Sequence, residues 1–200
     1  MKIEEQKTVA KKVLEKIKIV DPYAVLAGGA PRDWYFGNPC NDLDIYYYSN
    51  TRTIHDSIVQ LNSIFPDTEF HRVGGKGYST GESYRENYST MPFMKDVFEG
   101  IIDGVRVQFI KLKENGKQFD VVNSMDVSIC KCYYDHMKDK IVLTRDFKIT
   151  IASKVMFLSN ECKWYNKHPS KMVKRFSEFK TGTKDIAIDT IVKDAIKNIK

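Results

Sequence analysis

The sequence predicts an α+β fold, in which a mixed sheet is flanked by helices and followed by a short helical C-terminal extension. Three observations lead to this prediction. Helical and strand-like patterns alternate over the first 65 residues, strand-like patterns continue to about residue 130, and the pattern is helical from Thr150 onward. The chain has 200 residues, of which 42% are hydrophobic, and this is enough for one substantial core.

The N-terminal elements follow from the spacing of apolar residues and from the residues that interrupt it. Asp21-Pro22 ends the first helix, Gly28-Gly29 stops the first strand, and Pro31 suits the first turn of the next helix. The predicted elements up to residue 65 are a helix over 3–19, a strand over 23–27, a short helix over 31–36, a strand over 42–48 and a helix over 55–65.

The second half of the chain begins with a segment of little periodicity, 74–90, which predicts a loop or a distorted hairpin. After it come the strand patterns and then the helical ones. The predicted elements are a strand over 105–112 that follows an Asp103-Gly104 turn, a partner strand over 127–130, and helices near 150–165, 170–179 and 184–200, with a break at His168-Pro169.

Charge is unevenly distributed along the chain. The net charge is +6, yet residues 147–200 carry 12 Lys and Arg against 5 Asp and Glu, so the rest is nearly neutral. We therefore divide the chain into a domain over 1–147 and a basic helical extension over 148–200. The basic segment fits a phosphate-rich partner, or equally a lysine-rich solvated helix face.

Three basic residues of the extension share one helix face. Lys171, Lys174 and Arg175 are spaced i, i+3 and i+4. They could contact a nucleic-acid backbone or an incoming triphosphate, or they could simply face solvent.

The sequence also indicates the cellular location of the protein and the redox state of its cysteines. No apolar run reaches the roughly 18 residues that a membrane span needs, and the charged N-terminus lacks the apolar core of a signal peptide, so we expect a cytoplasmic protein without a membrane partner. The four cysteines lack zinc-site spacing and are interpreted as reduced thiols. Cys130 and Cys132 would share one strand face, and the four histidines receive no ligand or catalytic role.

Two aspartates open the predicted strand 42–48. At i and i+2, Asp42 and Asp44 point to the same face and can share one or two divalent cations. Phosphoryl transfer by two metal ions needs this arrangement. The alternative is a solvated strand end.

A glycine pair precedes the aspartates. Gly28 and Gly29 follow a buried strand, so backbone N–H groups and the next helix N-terminus could approach phosphate oxygens. The alternative is that the turn needs glycine only for its shape.

The run GGAPRDWYFGNPCNDLDIYYY resembles the signature GGxVRDxLLG…DxDI. This signature belongs to the polymerase-β-like nucleotidyltransferase head of class II tRNA CCA-adding enzymes and bacterial poly(A) polymerases. The resemblance covers about the first 50 residues in detail and the fold loosely to about residue 135. It implies that Gly28 and Gly29 hold the nucleoside triphosphate, that Asp42 and Asp44 bind catalytic Mg²⁺ or Mn²⁺, and that Arg32 lies close to the nucleotide. An Arg32–Asp33 ion pair could also fix the turn.

Polymerase-β-like folds usually supply a third carboxylate from a later strand, as a base or metal ligand. We assign Asp126 to this catalytic and metal-binding role, because the predicted strand places it on one face with Ser128 and Cys130. Asp120 is the reserve candidate. An alternative alignment puts Asp126 in the ribose-contacting RRDF-type motif, with residues 123–125 in place of its arginines.

The segment GGKGYSTGESYR lacks the spacing of a phosphate-binding loop and is interpreted as a flexible segment near the active site. Lys76 and Arg85 within it could reach phosphates. The tyrosines of 46–48 are assigned to strand packing.

The resemblance implies a nucleotidyltransferase that moves a nucleoside monophosphate from an NTP to an acceptor hydroxyl, with an RNA 3′ end as the favoured acceptor. The alternatives are a toxin-like enzyme that modifies a protein or small molecule, and a catalytically silent nucleotide- or RNA-binding module. The chain lacks an EDxxR-type motif, and its extension is too short for neck, body and tail domains. We therefore do not expect a CCA-adding enzyme.

Overall fold

The computed structural model describes residues 1–75, 93–159 and 167–197. Its α-helices are α1 (Ile3–Ile17), α2 (Gly29–Tyr35), α3 (Ile54–Ile64), α4 (Gln118–Ser124), α5 (Arg145–Ser153), α6 (Lys167–Arg175) and α7 (Lys184–Lys197). Its strands are β1 (Val25–Ala27), β2 (Asp42–Tyr48), β3 (His71–Gly75), β4 (Met94–Ile102), β5 (Val105–Leu112), β6 (Cys132–Asp135), β7 (Lys140–Leu143), β8 (Val155–Phe157) and β9 (Lys180–Gly182).

Seven strands form one mixed sheet in the order β3-β4-β5-β2-β1-β6-β7. Strands β2 and β5 pair in parallel, whereas the other neighbouring pairs are antiparallel. The predicted α+β class, with a mixed sheet flanked by helices, is confirmed.

Strand β2 lies in the middle of the sheet. Its alternate side chains face the hydrophobic core on one side of the sheet, and the two aspartates lie on the other. Leu43 and Ile45 are fully buried on one face, in a cluster that also contains Leu14 of α1 and Leu61 of α3. Asp42 and Asp44 point to the opposite face and are partly exposed. The central strand therefore holds both aspartates rigidly, because its other face is packed between helices.

Most predicted elements of the first 112 residues are confirmed within two residues, as expected for boundaries. The turn before β5 is also confirmed, with positive φ at both Asp103 and Gly104. The sequence interpretation missed β3, β4, α4, β6 and β7. Strand β4 matters most, because it pairs with β5 along its whole length.

The predicted strand over 127–130 is wrong. Residues Ser128–Cys130 form a short 3-10 helix, and the next strand is β6. The reason is local hydrogen bonding: the Ser128 hydroxyl accepts from the Thr150 hydroxyl at 2.6 Å and from the Phe157 N–H at 3.0 Å. These bonds fix Ser128 to α5 and β8 in place of a strand ladder. Cys130 and Cys132 therefore do not share a strand.

The C-terminal quarter also departs from the prediction of three helices. The pattern near 150–165 contains the end of α5 and then β8, which pairs in parallel with β9. The predicted break at His168-Pro169 is wrong, because α6 runs through both residues. Pro169 lies in the first turn of α6, where a missing N–H costs no intrahelical hydrogen bond.

The division into 1–147 and 148–200 stays a prediction, and its boundary lies inside α5. Side chains from both sides share one apolar cluster, in which Ile129 and Phe147 join Met156, Met172 and Phe176. No helix in the described part of the chain is long and apolar enough to cross a membrane. Lys76, Arg85 and most of the predicted loop over 74–90 lie outside the described residues.

Candidate active site

The candidate active site is centred on Asp42 and Asp44. Their neighbours across the parallel β2–β5 ladder are Arg106 and Gln108, respectively. Gln108 is in turn opposite Glu99 of β4, and its side-chain amide donates to the Glu99 carboxylate at 2.8 Å. Three strands thus present one polar row on the same face of the sheet.

The Asp44 carboxylate is poorly compensated in the described part of the chain. Its Oδ1 atom is buried and lacks a hydrogen-bond partner there. Burial and then the neighbouring charge of Asp42 raise the pKa of Asp44 to about 8, although Arg32 and His168 act in the opposite direction. Holding an ionised carboxylate at this position costs free energy unless a cation binds it.

Asp42 shows the same tendency as Asp44. Burial raises its pKa, the positive charges of Arg106 and Lys171 lower it, and Glu99 and Asp33 raise it. Asp42 therefore lies between cations from β5 and α6 and two further carboxylates.

These features fit a divalent cation. Hard cations bind carboxylate oxygens, and Mg²⁺ is commonly held by one or two carboxylates together with water and substrate phosphates. Among the residues that the structure describes, no group of three or more His, Cys, Asp or Glu side chains forms a metal-binding cluster. The orphaned Oδ1 of Asp44, on the same strand face as Asp42, is the observation that favours a cation here. The burial that raises the pKa of both aspartates agrees with it.

The glycine pair forms the turn between β1 and α2. Gly28 has φ of +81°, and a Cβ there would lie 3.2 Å from Cε of Met125, so this position requires glycine for its shape. Its N–H donates to the Cys132 carbonyl at 3.1 Å. Gly29 differs, since the nearest atom to a Cβ built there is Nη2 of Arg32 at 3.9 Å.

Arg32 and Asp33 form the predicted ion pair, which is confirmed at 2.8 Å with both side chains about 5% exposed. Arg32 also approaches Sγ of Cys130 at 3.1 Å and Sδ of Met172 at 3.0 Å. Burial opposes ionisation of Arg32, but the charges of Cys130 and Asp33 outweigh it and raise its pKa. The role of Arg32 towards a nucleotide stays a prediction.

Asp126 is near the aspartate pair, but on an irregular segment before the 3-10 helix rather than on a strand. The charges of Asp44, Asp126 and Asp42 all act on Tyr46, whose pKa is raised first by burial. His168 Nδ1 lies 2.8 Å from each carboxylate oxygen of Asp126. The reserve candidate Asp120 lies on α4, is exposed, and pairs with Lys117 at 3.2 Å.

Helix α6 presents several side chains to this region. His168 pairs with Asp126, the charge of Lys171 acts on Asp42, and Arg175 Nη2 lies 2.9 Å from Asp33 Oδ2. The structure therefore brings Lys171 and Arg175 to the site and leaves Lys174 exposed on α6.

Sequence reasoning missed His168 and Glu99. Glu99 is partly buried, acts on both aspartates, and lines a groove of about 400 Å³ together with Arg106 and His71. The alternating apolar residues of MKDVFEGII were the available signal for β4. The position of β4 in the sheet, two strands away from β2, cannot be inferred from residue spacing. His168 gave no local signal, because its partner is 42 residues away.

The model of the Gabija anti-defense 2 (Gad2) family matches residues 3–154, which is more than half of the chain. The chain belongs to the Gad2 family. The match includes the glycine turn and the aspartate pair, but ends before α6. A comparison with curated proteins found no match.

Solved structures of tRNA-processing nucleotidyltransferases have a similar fold. A tRNA-processing enzyme in an apo form gives a TM-score of 0.57 at 13% identity, over 97% of this chain and 47% of the other. A CCA-adding enzyme with CTP gives 0.56 at 11% identity, over 94% and 44%. The Thermotoga maritima CCA-adding enzyme complexed with tRNA gives 0.52 at 13% identity, over 94% and 43%. This Gad2 family member thus has a nucleotidyltransferase-like fold and spans less than half the length of these relatives.

Proposed function

We propose that this Gad2 family protein is a metal-dependent nucleotidyltransferase that transfers a nucleoside monophosphate from an NTP to an acceptor hydroxyl. The acceptor oxygen forms a bond to the α-phosphorus, the bond between the α- and β-phosphates breaks, pyrophosphate leaves, and the hydroxyl proton is released. A divalent cation, Mg²⁺ or Mn²⁺, would offset negative charge on the triphosphate and the leaving pyrophosphate.

One observation carries the proposal. Asp42 and Asp44 share a face of a rigid central strand, and Oδ1 of Asp44 is buried without a hydrogen-bond partner in the described residues. A structural carboxylate would be expected to have such a partner. An orphaned Asp44 oxygen beside Asp42, on a nucleotidyltransferase-like fold, is instead consistent with a metal site that is completed by substrate.

The proposed NTP side of the site lies towards α2 and α6. Lys171 is exposed on α6, and its charge already acts on Asp42. In the proposal it contacts the triphosphate, while Gly29 lets the turn approach phosphate oxygens and Arg32 acts as a nearby fixed positive charge. Asp42 and Asp44 hold the cation. Each of these roles is separable by mutation.

An RNA 3′ end is the first candidate acceptor. The similar structures include a CCA-adding enzyme complexed with tRNA, and the C-terminal quarter of this chain is basic. Phosphate-rich partners are attracted to such a surface. The chain spans less than half of those enzymes, so the acceptor need not be the same.

A hydroxyl of a protein is the second candidate, and a different observation favours it. The family description names an anti-defense role against Gabija. An enzyme that inactivates a defence component by attaching a nucleotide to it would fit that description without requiring a tRNA-binding body.

The acceptor experiment uses each of the four α-³²P-labelled NTPs with Mg²⁺ or Mn²⁺. The purified protein is incubated with total RNA and, separately, with lysates that contain or lack the Gabija components. Label that ribonuclease removes supports the RNA acceptor, and label that only protease removes supports the protein acceptor. Absence of transferred label in every reaction would contradict the proposed function.

A further inference from the structure

Asp126 and His168 form a bifurcated contact that connects α6 to the segment before the 3-10 helix. His168 Nδ1 is 2.8 Å from both Oδ1 and Oδ2 of Asp126. Asp126 is further held by its backbone, since its carbonyl accepts from the Ser159 N–H at 2.8 Å. The Asp126 side chain is 18% exposed and that of His168 is 43% exposed.

The contact also includes Cys130 and Arg32. Burial lowers the pKa of His168, but hydrogen bonds and charges from Asp126 and Cys130 outweigh this effect and raise it to about 10. Arg32 Nη1 approaches the same Cys130 sulfur at 3.1 Å, so His168 joins a network that reaches α2. His168 therefore contacts α2 through Cys130 and Arg32 as well as the segment that holds Asp126.

Because His168 and Lys171 lie on the same helix, the contact of His168 with Asp126 also sets the position of Lys171. Residues i and i+3 of a helix are neighbours on one face, so Lys171 follows His168 by about one turn. Arg175 follows by about two turns and pairs with Asp33 at 2.9 Å. The two ion pairs therefore fix α6 on either side of Lys171. In this position the charge of Lys171 acts on Asp42.

We propose that His168 and Asp126 are positioning residues, which dock α6 so that Lys171 contacts the triphosphate of the nucleotide held at Asp42 and Asp44. This inference rests on the proposed nucleotidyltransferase function. It gives Asp126 a positioning role through its contact with His168; the metal-binding and catalytic role of Asp126 stays a prediction. His168 acts through Lys171 and does not touch the nucleotide itself.

The test is a double-mutant cycle on nucleotide binding, which needs no acceptor. The affinity for fluorescent N-methylanthraniloyl-ATP with Mg²⁺ is measured for the wild type, His168→Gln, Lys171→Ala and the double variant. Removing a charged hydrogen-bonding group is expected to weaken binding about tenfold in each single variant. The double variant should be within about threefold of Lys171→Ala, since residues that act through one contact are not additive.

Two further variants separate docking from folding. Asp126→Asn removes the same ion pair from the other side and should reproduce His168→Gln, whereas His55→Gln changes an exposed histidine of α3 and should bind as the wild type does. The unfolding midpoint of every variant is recorded. If His168→Gln fails to fold, the cycle is repeated with Asp126→Asn and Lys171→Ala.

The outcomes distinguish this inference from the proposed function. Additive losses, or unchanged binding in both His168→Gln and Asp126→Asn, would overturn the positioning role even if label transfer is observed. Lack of binding by the wild type to the N-methylanthraniloyl analogue of every one of the four NTPs would overturn it as well. Non-additive binding losses without any label transfer would support the positioning role and contradict the transferase.

Discussion

Arg175 on α6 and Asp33 on α2 are joined by an ion pair of 2.9 Å, although 142 positions separate them in the sequence. Asp33 simultaneously binds Arg32, and its side chain is only about 5% exposed. A single buried carboxylate therefore compensates two guanidinium groups and joins the C-terminal quarter to the turn that precedes the aspartate pair.

We expect Asp33→Asn to destabilise the protein strongly. Breaking a buried ion pair from one side typically costs about 3–5 kcal/mol, because the remaining charge stays buried. Arg32 cannot lose its charge and is 4% exposed, so it cannot escape this cost. Urea denaturation measures the effect, with Asp189→Asn on the exposed face of α7 as the control. A loss below about 1 kcal/mol would show that Asp33 is not the main partner of Arg32.

The two glycines of the β1–α2 turn should respond differently to substitution by alanine. Gly28→Ala is expected to cost about 1–3 kcal/mol of stability, because φ at this position is +81° and the added Cβ would contact Met125. Gly29→Ala has room for its Cβ and should fold with nearly normal stability. If Gly29 lies against phosphate, the Gly29→Ala protein should nevertheless bind Mg²⁺-ATP more weakly. Equal destabilisation by both substitutions would argue against this distinction.

Burial of Lys111 should make the stability of the folded protein depend on pH in the alkaline range. It is 1% exposed, its ammonium group donates to the Ser57 hydroxyl at 3.0 Å, and burial followed by the charge of Lys95 lowers its pKa to about 8. The unfolded chain keeps the ordinary value of about 10.5, so between these pH values the unfolded state binds more protons. The stability of the wild type should therefore rise with pH, relative to Lys111→Met, from about pH 8 to about pH 10.5.

Thermal unfolding at pH 7.5 and pH 10 tests the Lys111 prediction. The difference in unfolding midpoint, wild type minus Lys111→Met, should be more positive at the higher pH. Lys148→Met on the exposed face of α5 provides the matched control and should show no such trend. A difference that stays constant or falls would mean that Lys111 is not desolvated in the folded protein.

Asp44→Asn should stabilise the metal-free protein while removing its response to metal. Replacing a carboxylate whose buried Oδ1 lacks a partner in the described residues relieves the desolvation of that oxygen, and each kcal/mol gained raises the unfolding midpoint of a chain of this size by about 2–4 °C. In the wild type, Mg²⁺ or Mn²⁺ should raise the midpoint through preferential binding to the folded state. The measurement is thermal unfolding with a chelator and with added metal. A metal response that persists in Asp44→Asn would exclude Asp44 as a ligand.

The central strand and its aspartates could be predicted because their signals are local. The period of two in DLDIYYY places Asp42 and Asp44 on one face, and the Arg32–Asp33 pair joins adjacent residues. The predicted helix over 31–36 and the strand over 42–48 are separated by Gly37-Asn38-Pro39, which ends the helix. Each of these predictions depends only on residues that are close together in the sequence.

Features that depend on distant contacts could not be predicted in the same way. Glu99 approaches the aspartates only because β4 pairs with β5, and β5 with β2. His168 meets Asp126 across 42 positions, and Ser128 leaves the strand pattern because it bonds to Thr150 and Phe157. Tertiary hydrogen bonds overrode local propensity at Ser128, whereas Glu99 and His168 keep regular secondary structure and reach the site through distant pairing.

The most direct test of the proposed function is the rate of label transfer from an α-³²P-labelled NTP by variants of the aspartate pair. Asp42→Asn and Asp44→Asn keep the size of each side chain but remove the charge that would hold the cation. Each should lower the rate at saturating NTP by about 100-fold or more, since metal ions contribute several kcal/mol to charge stabilisation. Asp189→Asn should retain the wild-type rate. Transfer by Asp42→Asn and Asp44→Asn at rates close to the wild type would contradict the assignment of this pair as the metal-binding centre of the enzyme.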